Sequence, residues 1–309
     1  MAISSLDVDV LVIGRSCVDY LYVVDSYPPE DRKIAVAEHL VEAGGQGSTA
    51  ACCVARLGGR VRFIGSVGDD DAGRFCLDRL ADFGVPTDLV KIIPGGRTPT
   101  AAIVIAGGGS RTIFYEPSAL PKPVVDDLLM SHAAAAPVIL LDPQATYLAP
   151  MLGAAQHGLI VYDCERRREG LEDMMAAADY FIPSAEFFLT DSDGGAEITL
   201  FDRALDFRTH VTGELIVTDG PRGAAWFTGK EIITAAPPPE TVKDTTGAGD
   251  NFHAAFALGL ARGLPREELL AFAVAVATLS CRAYGGRRGI PSWDEALSAS
   301  RRCTVRHIL

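Results

Sequence analysis

The chain has 309 residues, 48% of them hydrophobic and 22% charged, which is enough to bury a large core, and no unbroken apolar stretch is long enough to span a bilayer. A formal net charge of -12 excludes a surface built to neutralise nucleic-acid phosphates and points to a small-molecule ligand; an anionic ligand would need its own local cation. Seven cysteines without a CxxC pair fit neither a disulfide framework nor a zinc site, and no basic-then-apolar leader opens the chain, so a reduced cytoplasmic protein that binds neither nucleic acid nor membrane is expected.

Val8 to Ile13 opens the chain as a short β-rich run, and Val18 to Val24 with Ile34 to Val41 reads as a pair of hairpin strands. A helical pattern follows over 48–58, with Cys52 and Cys53 as packing groups, then a strand from Val61 to Ile64 and a helical pattern over 70–83. Thr100 to Ala106 and Arg111 to Glu116, joined by Gly107-Gly-Gly-Ser110, form a second hairpin. The two hairpins form either a small separate sheet over a ligand cleft or an extension of the main sheet's edge. Apolar runs at Val138 to Leu141, Leu159 to Tyr162, Tyr180 to Ile182 and Leu215 to Val217 then alternate with helical patterns at 123–134, 147–157, 168–178 and 196–211. This alternation predicts an α/β sheet flanked by helices. Helices over 247–262, 266–283 and 292–302 close the chain, the middle one apolar on nearly every face.

The segment Asp244-Thr-Thr-Gly-Ala-Gly-Asp250 starts the first of these helices. Amides at a helix N-terminus lack intrahelical acceptors and sit at the positive end of the dipole, so Gly247, Ala248 and Gly249 can hold an oxyanion with Asp250 facing the reacting atoms. The other reading is a glycine-rich turn in which Asp250 only complements the dipole. A second glycine-bearing turn, Thr218-Asp-Gly-Pro-Arg-Gly223, follows a strand directly. Neither Gly223 to Lys230, one residue too long for GxxxxGK[ST], nor Gly44-Gly-Gln-Gly47, which does not continue into GxGxxG, supplies a standard nucleotide motif. His253 lies one turn after Asp250, without the Ser/His/Asp spacing of a hydrolase.

Two anchors now support a comparison. The first is Gly44-Gly-Gln-Gly-Ser-Thr-Ala-Ala-Cys-Cys-Val-Ala-Arg-Leu-Gly58, followed by Phe63-Ile-Gly-Ser-Val-Gly-Asp-Asp-Asp-Ala-Gly73; the second, more specific one is Asp244 to Phe256, similar to a DTxGAGD signature. On these the chain resembles the ribokinase or PfkB family of sugar kinases along nearly its whole length. The resemblance implies one domain over 1–309 with a three-layer α/β/α fold, a mostly parallel central sheet and a small β-sheet lid from about 15–43 and 97–118. It also implies ATP-dependent phosphorylation of a sugar-type hydroxyl and a homodimer paired through the lids.

Carried over residue by residue, the resemblance makes Asp250 the catalytic base, with Gly247, Ala248 and Gly249 stabilising the developing charge. Asp19 matches a carboxylate that holds sugar hydroxyls, Gly45 lets the backbone approach the sugar, and Gln46 and Thr49 stand where polar or amide side chains occur, Thr49 in place of a frequent Asn. Arg111 resembles the lid arginine of ketohexokinase-like members, and equally reads as a cross-strand surface cation. Thr218, Gly220 and Gly223 are implied as ATP contacts, as are Val274 and Thr278, which also read as plain core residues. Magnesium should accompany ATP, yet Pro183-Ser-Ala-Glu-Phe187 departs from the family's NxxE motif: Ser184 replaces the Asn and Glu186 comes one residue early, leaving Glu186 to act through water. Asp244 and Thr246 resemble positions beside a monovalent-cation site, which suggests potassium.

Val24 to Asp31 and Pro237 to Val242 look like ketohexokinase and favour a ketohexose acceptor, while Cys281 to Pro291 is similar to sulfofructose kinases. Two other readings stand: a nucleoside (adenosine-like) kinase, with Tyr20, Tyr22 and Tyr27 available to stack on a base, and a non-catalytic sugar-binding homologue.

Overall fold

The structure, a computed structural model, describes residues 7–152, 157–188, 200–229 and 231–308. In chain order, β1 (Val10–Ile13), β2 (Cys17–Val23) and β3 (Glu38–Gly44) lead into α1 (Gln46–Arg56), β4 (Val61–Gly68), α2 (Asp71–Asp82), β5 (Val90–Ile93), β6 (Thr100–Ile105) and β7 (Arg111–Tyr115). Next come α3 (Asp127–Ala135), β8 (Val138–Leu141), α4 (Ala149–Leu152), β9 (Leu159–Cys164), α5 (Leu171–Ala177), β10 (Tyr180–Pro183), α6 (Leu200–Arg208) and β11 (Glu214–Thr218). The chain ends on β12 (Ala224–Phe227), β13 (Ile232–Ala236), α7 (Ala248–Ala261), α8 (Arg266–Ser280), α9 (Trp293–Ser300) and β14 (Thr304–Ile308).

The large sheet runs in the order β14-β13-β12-β11-β10-β9-β8-β1-β4-β5, parallel from β11 to β5 and antiparallel beyond β11. Strand side chains alternate between faces. Val10 and Val12 therefore enter the core shared with α1, α7 and α8, whereas Leu11 and Ile13 enter the opposite core with Leu129 of α3 and Leu171 and Met174 of α5. Both faces are covered, which is why these strands read as continuous apolar runs. The result is the expected three-layer α/β/α arrangement.

The two hairpins form a separate sheet of order β3-β2-β6-β7, with β2 parallel to β6. This decides against an extension of the main sheet's edge. Leu21, Ala101, Ile103 and Ile105 pack into a small core of their own. Tyr20, Val41, Ile113, Phe114 and Tyr115 stay exposed.

Two helical expectations change. The helix expected over 123–134 begins only at Asp127, because Pro121 and Pro123 precede it and Asp126 accepts the Leu129 amide as N-cap. Over 147–157 the chain instead makes a 3-10 turn, Pro143–Leu148, capped by Asp142 and followed by the single turn of α4; residues 153–156 lie outside the described residues. No helix among the described residues is long and apolar enough to cross a membrane.

Candidate active site

α7 packs on β1, β8 and β9 of the large sheet, and in an open α/β sheet ligands bind beyond the carboxyl ends of such strands. Gly247 caps α7 in the left-handed region (φ 72°), and a Cβ there would lie 2.7 Å from Gly286 Cα, so only glycine fits. Gly249 differs: a Cβ there would meet nothing within 4 Å, leaving its amide approachable. The Ala248 amide is turned inward to Thr245 O at 3.2 Å, which corrects the expected three-amide cradle. Among the described residues no such contact engages the Gly247 and Gly249 amides, so the cradle consists of these two.

Asp250, on the first turn of α7, is partly exposed. Burial of its carboxyl pushes its pKa up to about 7; Asp163 and Asp19 add to this, while His253 and Arg111 oppose it. Asp19, buried on β2, accepts a weak hydrogen bond from Cys17 Sγ at 3.2 Å. Burial pushes its carboxyl up to about 6 against Cys17 and Arg287, with Asp244 and Glu42 adding to the rise. Gly44 makes the room, since a Cβ there would lie 1.8 Å from Asp19 Oδ2. Asp19 and Arg111, far from Asp250 in sequence, both bear on its charge, and Asp244 bears on that of Asp19.

Gly45 (φ 94°) precedes α1 and packs against the backbone of Arg15 and Ser16. Gln46 Oε1 accepts from Arg15 Nη2 at 2.5 Å, and the Arg15 amide donates to Asp142 Oδ2 at 2.7 Å. Arg15 and Asp142 line a cleft with Ser66, Lys122 and Gln144. Thr49 is buried and faces Arg287 Nε at 3.4 Å. Arg111 reaches from β7 to Thr245 Oγ1 at 2.7 Å.

On the other side, Thr218 ends β11 beside Ser184, with which it makes a parallel bridge. Gly220 (φ 48°) and Gly223 (φ 90°) shape the turn after it; a Cβ at Gly223 would lie 2.0 Å from Ala235 O. Val274 is buried within the main core, whereas Thr278 is half-buried and its Oγ1 donates back to Val274 O at 2.7 Å.

Asp244 is fully buried. Its Oδ1 accepts from Thr246 N and Oγ1 at 2.8 and 2.7 Å, and Oδ2 from Gly285 N at 2.8 Å. These donors fix the carboxylate in the turn before α7, with Oδ1 doubly engaged and Oδ2 keeping one acceptor position. Glu186 is exposed in the short 3-10 turn after β10. Among the described residues no group of three or more His, Cys, Asp or Glu could cage a metal. A magnesium ion carried mainly by phosphates and water needs only one or two carboxylates, and Glu186 fits that limited role.

Sequence reasoning missed Arg287, Asp163 and the part played by His253. Arg287, buried, donates to Ser48 Oγ at 2.7 Å and Gly44 O at 3.1 Å. Its signal was the run Gly285-Gly-Arg-Arg-Gly289, in which a cation sits among turn residues. Asp163, on β9, is buried with its carboxyl pushed well up by burial and by Asp142 and Glu165.

A family model described as "pfkB family carbohydrate kinase" matches residues 7–293. The chain is 28% identical over 302 residues to a ribokinase of Bacillus subtilis (strain 168), covering 93% of this chain and 97% of that one. It is also 28% identical over 322 residues to the probable fructokinase-5 of Arabidopsis thaliana, covering 93% and 95%. Among solved structures, Arabidopsis thaliana ribokinase complexed with ribose and ATP shares the fold, with a TM-score of 0.80 at 24% identity over 96% of this chain and 99% of that one.

Proposed function

The chain belongs to the pfkB family of carbohydrate kinases, and on that premise we propose that it transfers the γ-phosphoryl group of ATP to a hydroxyl of a small carbohydrate, a ketohexose foremost. One observation carries the reading: Asp250, its carboxyl pushed up to about 7, stands on the first turn of α7 beside two free helix-terminal amides and feels the field of a second carboxyl, Asp19.

Asp19 accepts hydrogen bonds from the acceptor's hydroxyls, and Gly45 lets the backbone approach closely. The distal end of the acceptor runs toward the cleft lined by Arg15 and Gln144, where Gln46 holds the Arg15 guanidinium. Asp250 takes the proton of the attacking hydroxyl; a base with a pKa of about 7 is half-ionised at neutral pH and still basic enough to accept it. The Gly247 and Gly249 amides face the charge that builds on the transferred group. Thr218 and the turn from Gly220 to Gly223 hold the nucleotide's phosphates. Magnesium, held through water by Glu186, would neutralise phosphate charge. Arg111 closes the small sheet over the site.

The exposed Val41, Ile113, Phe114 and Tyr115 support pairing of two lids in a homodimer, which sedimentation would report as twice the chain mass. Tyr22 already stacks on His39 with ring centroids 4.8 Å apart, which leaves less for a nucleobase and favours the sugar over the nucleoside reading.

The test is ADP release measured with ketoses, aldoses, sugar acids, sulfonated sugars and nucleosides, with Asp250→Asn as control. Turnover of a ketose that the variant abolishes supports the reading. Turnover of nucleosides alone, or full activity in the variant, overturns it.

A further inference from the structure

His253 is 4% exposed on α7, one turn beyond Asp250. Its Nδ1 lies 2.6 Å from Gly249 O, and its Nε2 lies 3.2 Å from Ile182 O and 3.6 Å from Asp163 Oδ1. All three are acceptors. A neutral imidazole carries one N–H and one lone pair, so either neutral tautomer aims a lone pair at a carbonyl oxygen; only the doubly protonated ring satisfies both sides. On balance burial draws the ring's proton affinity down, outweighing the two carbonyls and Asp250, and it pushes the Asp163 carboxyl well up; it is the geometry that favours the charged ring, a carbonyl oxygen facing each ring nitrogen. Asp163 adds a countercharge at the nitrogen that faces Ile182. A buried charge persists when it is paired and hydrogen-bonded; here the two carbonyls would take the ring's hydrogen bonds, and Asp163 Oδ1 stands at ion-pair distance.

We propose that His253 is held as an imidazolium paired with the Asp163 carboxylate, and that this buried pair positions Asp250. The contacts explain how. Through Gly249 O the ring fixes the first turn of α7, where the amide cradle and Asp250 sit; through Ile182 O and Asp163 it ties that turn to β10 and β9. The pair also sets the field at Asp250. His253 favours its ionised form and Asp163 opposes it. Arg111 from β7 and Asp19 from β2 face Asp250 as well, and the Cys53 thiol of α1 lies in its field. Asp142, Glu165, Arg168 and Arg15 surround Asp163 from the other side. His253 is thus a positioning residue; its role rests on Asp250 being the base, while its charge state does not.

The charge state is read first, on the full chain labelled with 15N-histidine, by NMR without substrate. We expect both His253 ring nitrogens to carry protons at pH 7; a single bare nitrogen there overturns the proposal whether or not any sugar is phosphorylated. The second readout is the acidic limb of kcat. His253→Gln leaves Asp163 without its countercharge, so the Asp250 proton is held more tightly and the limb moves to higher pH by on the order of one unit. Adding Asp163→Asn should return it toward the wild-type position. A fall in kcat with an unmoved limb would overturn the electrostatic role. Should His253→Gln fail to fold, Asp163→Asn alone decides through NMR: His253 should lose its second proton at pH 7, and a ring still doubly protonated would count against the pair.

Discussion

Arg111 Nη1 donates to Thr245 Oγ1 at 2.7 Å, hooking the last strand of the small sheet onto the turn that leads into α7 and Asp250. The same threonine donates from Oγ1 and from its amide to Gly109 O, at 3.1 and 3.3 Å, so the β6–β7 turn is held by one side chain. Thr245→Val removes both side-chain bonds at nearly constant volume. The acceptor kcat/KM should fall about 10-fold, equivalent to about 1.4 kcal/mol for one charge-assisted hydrogen bond, and ATP hydrolysis without acceptor should rise as water enters. Thr245→Ser should behave as wild type. Unchanged hydrolysis in the valine variant would detach this contact from closure.

Two glycines of the cradle should respond in opposite ways. Gly247→Ala forces a side chain into left-handed backbone and against Gly286, at a cost of roughly 1–3 kcal/mol, visible as a lower Tm. Gly249→Ala meets no neighbour and improves helix propensity, so Tm should hold or rise slightly, yet the methyl enters the space where phosphoryl oxygens arrive and kcat should drop. Calorimetry beside steady-state kinetics separates the two; a Gly249→Ala enzyme with normal kcat would remove this amide from the reaction.

Asp250 should trade stability against activity. As base it must be ionised, so kcat/KM should rise with pH through about 7 and fall below it, more steeply once Asp19 also protonates below about 6. Asp250→Asn should lower kcat by on the order of 10²–10⁴-fold. The stability sign runs the other way: a carboxyl raised in the folded state favours folding less as pH rises from its unfolded value toward 7. Asn carries no such charge, so the variant should melt a few degrees above wild type at pH 8, a gain that vanishes near pH 4. A variant equally stable at both pH values would show that the carboxylate is not held in an unfavourable site.

The strands β1, β4 and β8 to β11 were legible because parallel strands buried on both faces leave apolar runs, and the start of α7 because Gly247 marks a place where a Cβ decides the conformation. β12 and β13, short antiparallel strands rich in alanine, were not, and β14 (Thr304–Ile308) lies almost wholly exposed at the sheet edge with no apolar alternation to show it. β5 escaped for the same reason, as a short edge strand with Lys91 and Ile92 exposed. Asp163 with His253 and Arg287 with Ser48 were hidden differently: each is a contact across the fold, and neither member carries a local pattern that names its partner. Ala248 was over-read, because spacing places its amide at the helix start but cannot show that Thr245 O captures it.

Arg287 tests how far the acceptor site depends on residues that do not touch the acceptor. Its guanidinium holds Gly44 O, Ser48 Oγ and Thr49 Oγ1, and Nη1 is buried with no hydrogen-bond partner among the described residues. Its charge is also what restrains the upward push of burial on Asp19. Arg287→Met should remove the donor to Ser48 Oγ and Thr49 Oγ1, while Gly44 O keeps the Ser48 hydroxyl, lowering stability by about 1–3 kcal/mol, and should let the Asp19 pKa rise further. Asp19 must be ionised to accept the acceptor's hydroxyls, so the acceptor KM at pH 7 should rise and recover as pH is raised to 9. Arg287→Lys keeps the charge but loses the fork; it should lower Tm while leaving the pH dependence of KM near its wild-type position. Tm falling in both variants with KM equally flat in both would reduce Arg287 to packing.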